Sequence, residues 1–349
     1  MAERIISYAE AIREATHQEM ERDNSVITFG LGVDDFKGIY GTTKGLLEKF
    51  GPDRLFDTPL SEDAMTGVAI GAAMAGLRPI HVHIRMDFLL LTVNQLFNIA
   101  AKTSYMYGGS LQVPLVVRSI IGKSWGQGAQ HSQGLHSLFM HIPGLKVVAP
   151  STPHDAKGCL IEAIRDNNPV IFVEHRLLHL FHGHVPEESY TTPFGKARIL
   201  APGSDITMVG ISYMAADCLR AKHLLDQTGI KAEVIDPISL VPFDYDAVLE
   251  SVRRTKRLLV VDTAWLNCGA AAEIITGVLE RLNPGEHIQV RRMGFAPASC
   301  PPTKILEDAF YPDPASIALT AYGMCNDGKT NWTPDYKEEK EIAEFRGPF

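Results

Sequence analysis

Thr58-Pro59-Leu60-Ser61-Glu62-Asp63-Ala64-Met65-Thr66-Gly67-Val68-Ala69-Ile70-Gly71-Ala72-Ala73-Met74-Ala75-Gly76 places acidic side chains at the mouth of an otherwise small and apolar helix. Peptide dipoles at a helix start favour a negative charge, while apolar surroundings raise the cost of ionising it. A carboxylate held between those two effects is suited to carrying a proton. Glu62 also fits the plainer description of a first-turn acid complementing the dipole. Gly67, Gly71 and Ala75 follow one another at intervals of four along a single face. Glycine inside a helix costs about 1 kcal/mol relative to alanine unless close packing returns it, so the bare stripe predicts an interface helix.

On either side of this helix the pattern alternates. The spacing of Ala9, Ile12, Ala15 and Met20 predicts a helix from Ser7 to Asp23, and the apolar run from Ser25 to Gly30 a strand. Further helices are expected from Thr42 to Phe50, Leu90 to Tyr105 and Asp155 to Asp166. Strands are expected from Pro79 to Ile84, Val113 to Arg118, Leu145 to Pro150 and Val170 to Glu174. Strands separated by helices imply a mostly parallel sheet covered on both faces. Near His179 to Phe194 the pattern breaks into His, Pro, Glu and Thr, the mark of a linker. A second unit follows, with strands from Asp205 to Ile211, Ala232 to Ile235, Arg257 to Asp262 and His287 to Arg292. Helices from Met214 to Gln227, Tyr245 to Arg254 and Cys268 to Leu282 alternate with them. The expected fold class is α/β with two parallel-sheet domains, residues 1–184 and 201–330, joined by a linker over 185–200 and followed by a charged tail over 331–349.

A chain of 349 residues with 45% hydrophobic content has room for two domains and a large core. Its net charge of −8 argues against nucleic-acid and anionic-membrane surfaces, both of which need clustered Lys and Arg. Apolar stretches such as Phe88-Leu89-Leu90-Leu91 are far shorter than the roughly 20 residues of a spanning helix. Met1-Ala2-Glu3-Arg4 lacks the pattern of a targeting leader, so a cytoplasmic protein is expected. Cys159, Cys218, Cys268, Cys300 and Cys325 stand alone without a CxxC pair, which fits free thiols in a reducing compartment rather than a disulfide framework or a zinc site.

Thr58-Pro59-Leu60-Ser61-Glu62, Ala72-Ala73-Met74-Ala75-Gly76-Leu77-Arg78-Pro79, Ala100-Ala101-Lys102-Thr103, Ala129-Gln130-His131-Ser132-Gln133, Pro143-Gly144-Leu145-Lys146-Val147-Val148 and Ile164-Arg165-Asp166-Asn167-Asn168-Pro169 together carry a resemblance. The chain resembles the beta subunit of the decarboxylating component of 2-oxo-acid dehydrogenase complexes, the pyruvate, branched-chain and acetoin dehydrogenase group. This implies a thiamine-diphosphate-binding, transketolase-like fold, its pyrimidine-binding domain over 1–184 and its transketolase C-terminal domain over 201–330. It implies that Glu62 is catalytic, bonding a ring nitrogen of the aminopyrimidine and favouring the imino form that takes the thiazolium proton. Leu60, Ile84 and Phe88 would complete the cofactor pocket, with Phe88 stacked on the pyrimidine. His131 would bind the 2-oxo acid carboxylate or transfer a proton during acyl transfer. Taken alone, Phe88 also fits a core aromatic and His131 a surface histidine. Leu115, Ala163, Ile164, Asp166 and Asn168 match positions where relatives bind potassium, largely through backbone oxygens; an Asp-Asn-Asn-Pro helix terminus bonded to itself is the competing account.

No Gly-Asp-Gly followed by a downstream Asn, the motif with which thiamine enzymes hold magnesium and the diphosphate, occurs in the sequence. The resemblance therefore implies an alpha subunit that holds magnesium, an alpha2beta2 assembly sharing thiamine diphosphate between unlike subunits, a small-molecule 2-oxo acid substrate and a lipoyl acyltransferase core as a further partner. Two other functions fit the same residues. One is a two-subunit transketolase-like or acyloin-forming synthase that passes the carbanion to an aldehyde; the other is a non-catalytic regulatory paralogue. Relatives commonly carry Glu where this chain has Val82, small residues at Lys123 and Trp125, and Thr or aromatic residues at Arg85 and Met86. Those departures bear either on substrate charge and size or on contact with the alpha subunit. His175, His179, His182 and His184 are spaced too irregularly for a metal site.

Overall fold

Ser7 accepts a hydrogen bond from the Glu10 amide and Glu10 accepts one back from the Ser7 amide, a capping box that starts helix α1 (Tyr8–Arg22) directly after the short strand β1 (Ile5–Ser7). The computed structural model describes residues 4–35, 37–123 and 126–337. They fall into two units, one holding residues up to 123 and 130–194, the other 126–129 and 195 onward.

In the first unit the chain continues through β2 (Val26–Gly30), α2 (Gly38–Gly41, kinked), α3 (Leu46–Phe50), β3 (Leu55–Phe56), α4 (Glu62–Met74) and β4 (Arg78–His83). Then come α5 (Ala101–Met106), β5 (Val116–Ile121), α6 (His136–Met140), β6 (Lys146–Val148), α7 (Pro153–Arg165), β7 (Val170–His175) and β8 (His182–His184). Its central strands lie in the order β6-β7-β5-β4-β2-β3, every pair parallel. β4, β5 and β7 are buried almost throughout, as expected of parallel strands covered on both faces. α4 turns Thr66, Ala69, Ile70 and Ala73 inward at helical spacing. Gly67 and Gly71 face away, and a methyl group added at either would meet nothing within 4 Å. Within the described residues the small-residue stripe therefore has no partner.

The second unit contains β9 (Arg198–Ala201), β10 (Ile206–Gly210), α8 (Tyr213–Asp226), β11 (Ala232–Asp236), β12 (Ser239–Val241), α9 (Tyr245–Thr255) and β13 (Arg257–Trp265). It ends with α10 (Ala270–Leu279), β14 (Gln289–Phe295), α11 (Lys304–Asp308) and α12 (Pro314–Cys325). The sheet order is β14-β13-β10-β11-β9, with β9 alone antiparallel. Both units are mostly parallel sheets with helices, the α/β class expected from the alternating pattern.

Four local expectations need correction. The helix expected from Leu90 to Tyr105 is instead a 3-10 turn (Met86–Thr92), a π-helical turn (Gln95–Ala100) and then α5; Thr92 Oγ1 donates to the Leu89 carbonyl at 2.9 Å and tightens the first of these. Helix α3 starts four residues later than Thr42, because Gly45 adopts φ 79 at its N-cap. β5 starts at Val116, where pairing to both β4 and β7 begins, and not at Val113. The stretch expected to be irregular from His179 contains β8, which pairs antiparallel with β1. Among the described residues no helix is long and apolar enough to cross a membrane.

Candidate active site

β2, β4 and β5 are adjacent and parallel, so their carboxyl ends open on one edge of the sheet, where α/β folds bind ligands. Gly30 ends β2 at φ 153, and a Cβ there would lie 2.2 Å from the Val82 carbonyl oxygen. Only glycine permits this approach of β2 to β4, and it delivers Leu31 to the strand edge. Leu60 and Glu62 arrive from the β3–α4 connection, His83, Ile84 and Arg85 from the end of β4, Phe88 from the 3-10 turn, and His131 from the loop after β5. All eight line one pocket of about 200 Å3. Glu62, Leu60, Ile84, Phe88 and His131, scattered over seventy positions of sequence, are thus brought together.

Glu62 is the first residue of α4, and the preceding Ser61 makes no side-chain cap. The dipole end of the helix is therefore left to Glu62 and whatever enters the pocket. Glu62 is half-buried, and its side chain forms no hydrogen bond or ion pair with any described residue. The Phe88 and His131 rings meet edge to face, centroids 5.5 Å apart at 82°. Leu60 is 79% exposed, so one wall of the pocket is open to solvent in this chain by itself.

The loop carrying His131 is held from two sides. Asp87 Oδ1 accepts hydrogen bonds from the Gln133 amide (3.2 Å) and from Gln133 Nε2 (2.8 Å), and Arg176 Nη2 donates to the His131 carbonyl at 2.9 Å. Burial raises the Asp87 carboxyl above the usual carboxylate range, against the lowering effect of the Gln133 bonds and the Arg176 charge. On β4, burial lowers His81 to about 4 in spite of its contact with the Phe29 carbonyl, and holds His83 well below the ordinary imidazole value. Both rings are therefore neutral near pH 7, packed edge to face at 4.3 Å between centroids. Leu31, His83, Asp87 and Arg176 escaped the sequence analysis. The alternation of His81 and His83 along β4 was the available signal, and it is equally the pattern of a packed strand.

Leu115, Ala163, Ile164, Asp166 and Asn168 lie apart from the pocket, near the amino ends of β5 and β7 and the carboxyl end of α7. Arg78 Nη1 donates to the carbonyls of Ile164 (2.9 Å) and Asp166 (3.0 Å). Asp166 also pairs with Lys146 and accepts from the Asn168 amide at 2.9 Å, while the Leu115 carbonyl accepts from the Val170 amide at 2.9 Å. Several of these oxygens thus already face cationic or amide donors. Of the histidine run, His179 pairs with Glu174, His175 is buried, and His182 and His184 sit in β8. Among the described residues no group of three or more His, Cys, Asp or Glu side chains could hold a metal ion. All five cysteines are free thiols. Lys123 is half-buried, and Trp125 lies outside the described residues.

An open parallel sheet with a carboxylate, an imidazole and an aromatic ring gathered beyond its strand ends defines a ligand-binding α/β enzyme domain. Residues 4–179 match the family described as transketolase, pyrimidine binding domain, and residues 195–317 match transketolase, C-terminal domain; the chain belongs to this family. It is 45% identical over 336 residues to the acetoin:2,6-dichlorophenolindophenol oxidoreductase subunit beta of Cupriavidus necator, covering 93% of this chain and 99% of that protein. The subunit of the same name from Bacillus subtilis is 40% identical, covering 94% and 99%. The pyruvate dehydrogenase E1 component subunit beta of Porphyra purpurea is 42% identical, covering 92% and 97%. Among solved structures, a split gene transketolase described as an inactive beta4 tetramer superposes with a TM-score of 0.74 at 20% identity, covering 93% of this chain and all of that one. That likeness carries the fold alone.

Proposed function

We propose that this chain is the beta subunit of a thiamine-diphosphate-dependent 2-oxo-acid dehydrogenase, which decarboxylates its substrate and hands the acyl group to a lipoyl domain. The observation that carries it is one pocket joining a helix-start carboxylate, without a side-chain partner among the described residues, to an aromatic ring and a loop histidine. The residues present suit the cofactor. Glu62 offers an acceptor for a ring N–H at a site half shielded from water, and Phe88, Ile84 and Leu60 offer apolar surface for a flat heterocycle. Bound thiamine diphosphate would supply the nucleophilic carbon and the electron sink. Glu62 would hold and return one proton at the pyrimidine ring nitrogen. His131 would face the substrate, positioned by Asp87 through Gln133 and by Arg176 through its own carbonyl. The relatives are dehydrogenase and oxidoreductase subunits, so neither the aldehyde-accepting synthase nor the regulatory paralogue is favoured.

An alpha subunit is part of the same proposal, in an alpha2beta2 assembly, and magnesium would be held there. Supporting it are the relatives' designation as beta subunits, the open Leu60 wall, and the unpacked Gly67 and Gly71 beside exposed Val68. Potassium on the free lone pairs of the Leu115, Ala163, Ile164, Asp166 and Asn168 oxygens, docking to a lipoyl acyltransferase core, and a cytoplasmic setting suited to five free thiols complete the proposal. The deciding experiment is to purify the chain alone and with its partner subunit, add magnesium and thiamine diphosphate, and measure cofactor retention. Stoichiometric retention is expected only in the assembled protein; tight stoichiometric binding by the lone chain would refute the shared site.

Asp87→Leu, which removes the acceptor fixing Gln133, is expected to lower kcat/KM of the assembled enzyme by about 10- to 100-fold through misplacement of His131. Asp87→Asn keeps an oxygen in that place and should recover most of the loss. Equal losses in both variants would show that the anchoring oxygen is not what matters.

A further inference from the structure

Among the described residues, Arg85 is the one permanently charged cation in the lining of the pocket, which it shares with the buried side chain of His83. It lies two residues beyond the end of β4, with Nη1 donating to the Ile84 carbonyl at 3.1 Å. His83 is only 3% exposed, and its ring forms no hydrogen bond with any described residue. The neighbouring surface is supplied by Leu31, Ile84 and Phe88, so the charge lies beside apolar side chains. In a chain of net charge −8, an arginine in the lining of a largely apolar pocket stands out from the general surface. Among the described residues the lining holds one carboxylate, Glu62, which makes no ion pair there and is assigned above to the cofactor.

Kinship leaves the charge of the substrate undecided, because the relatives' names include both an acid, pyruvate, and a neutral ketol, acetoin. We propose that Arg85, with His83 as a neutral hydrogen-bonding neighbour, binds the carboxylate of the substrate, so that this enzyme takes an anionic 2-oxo acid in preference to an uncharged ketol. A planar guanidinium matches a carboxylate with two parallel hydrogen bonds, the geometry that a lysine or a lone imidazole does not reproduce. With the carboxylate held by Arg85, His131 is left free for proton transfer during acyl transfer, which resolves its two candidate roles. The carboxylate leaves as carbon dioxide, so its pairing with Arg85 belongs to the bound substrate and its loss falls mainly on KM.

This inference rests on the proposed dehydrogenase function. Its test uses the chain assembled with its partner subunit and loaded with cofactor, an artificial electron acceptor, and pyruvate, 2-oxobutyrate and acetoin as substrates. The wild-type enzyme should favour the acids in kcat/KM, and Arg85→Gln should lower the ratio of acid to acetoin by about 30-fold, the size expected for a charge-assisted hydrogen bond. Arg85→Lys should retain part of the ratio. A ratio unmoved by Arg85→Gln would overturn the assignment while leaving the dehydrogenase intact, whereas a wild-type preference for acetoin would overturn both the assignment and the 2-oxo-acid function on which it rests. If cofactor binds but none of the three substrates turns over, the assignment is read from binding. Calorimetric binding of pyruvate then decides the site: tighter binding by the wild type than by Arg85→Gln supports it, and equal binding refutes it.

Discussion

Glu62→Gln in the assembled, cofactor-loaded enzyme is expected to lower turnover by roughly 100- to 10,000-fold, the usual contribution of a positioned proton carrier. Gln keeps the size and one hydrogen-bonding oxygen of Glu but cannot take up and return a proton at neutral pH. Folding should be nearly untouched, because the Glu62 side chain is half-buried and bonds no described residue. The melting temperature is therefore expected to stay within a few degrees of wild type, in keeping with about 0.5 kcal/mol for a substitution that breaks no contact. Exchange of the thiazolium proton for deuterium, followed by proton NMR after quenching, isolates the step at issue. It should slow in parallel with turnover. Unchanged exchange with reduced turnover would move Glu62 from proton transfer to a later role.

The largest effect on stability is expected from the buried ion pair of the first unit. Arg118 on β5 and Glu174 on β7 are both fully buried, joined at 2.6 Å (Nε to Oε1) and 2.9 Å (Nη2 to Oε2). Arg118 also donates to Thr42 Oγ1 at 2.9 Å, and His179 Nε2 lies 3.0 Å from Glu174 Oε2. Removing one member strands the other charge in the interior, so Glu174→Gln or Arg118→Leu should cost about 3–5 kcal/mol in urea unfolding. Burial pushes the Glu174 carboxyl up, but the Arg118 charge and the hydrogen bonds from His179 and Arg118 outweigh it and hold it at about 2. A carboxyl whose folded value lies below its unfolded one stabilises fully above the unfolded value of 4.5 and loses that contribution as pH falls toward 2. Wild-type stability should accordingly decline across that interval, and the decline should flatten in Glu174→Gln. Parallel pH profiles for the two proteins would contradict the assignment.

What the sequence reveals and what it hides divides along the range of the interactions involved. Helix α1 follows from a local capping box and a 3.6-residue period, and the buried strands β4, β5 and β7 follow from short apolar runs. β8 was hidden because a strand of three residues, His182–His184, exists only through pairing with β1, nearly 180 positions earlier. The turn from Met86 to Ala100 was hidden because its apolar residues satisfy a helical period, while side-chain bonds such as Thr92 to Leu89 wind it differently. α12 (Pro314–Cys325) lacks a strong amphipathic contrast, and its Asp313–Ser316 capping box was the signal that would have revealed it. Within the pocket, Glu62, Leu60, Ile84, Phe88 and His131 were reachable through the resemblance of short motifs. Leu31, His83, Asp87 and Arg176 depend on how strand ends and loops meet in space, and no local pattern marks them. Arg85 stood out in the sequence only as a departure from relatives; its place in the pocket gives that departure a chemical meaning.

The most direct test of the central claim is a crystal structure of the chain assembled with its partner subunit, thiamine diphosphate and magnesium. The account predicts a Glu62 carboxylate oxygen about 3 Å from a ring nitrogen of the aminopyrimidine, with Phe88 against the ring face. A cofactor bound with that nitrogen facing water or another residue, and Glu62 turned away from it, would contradict the account.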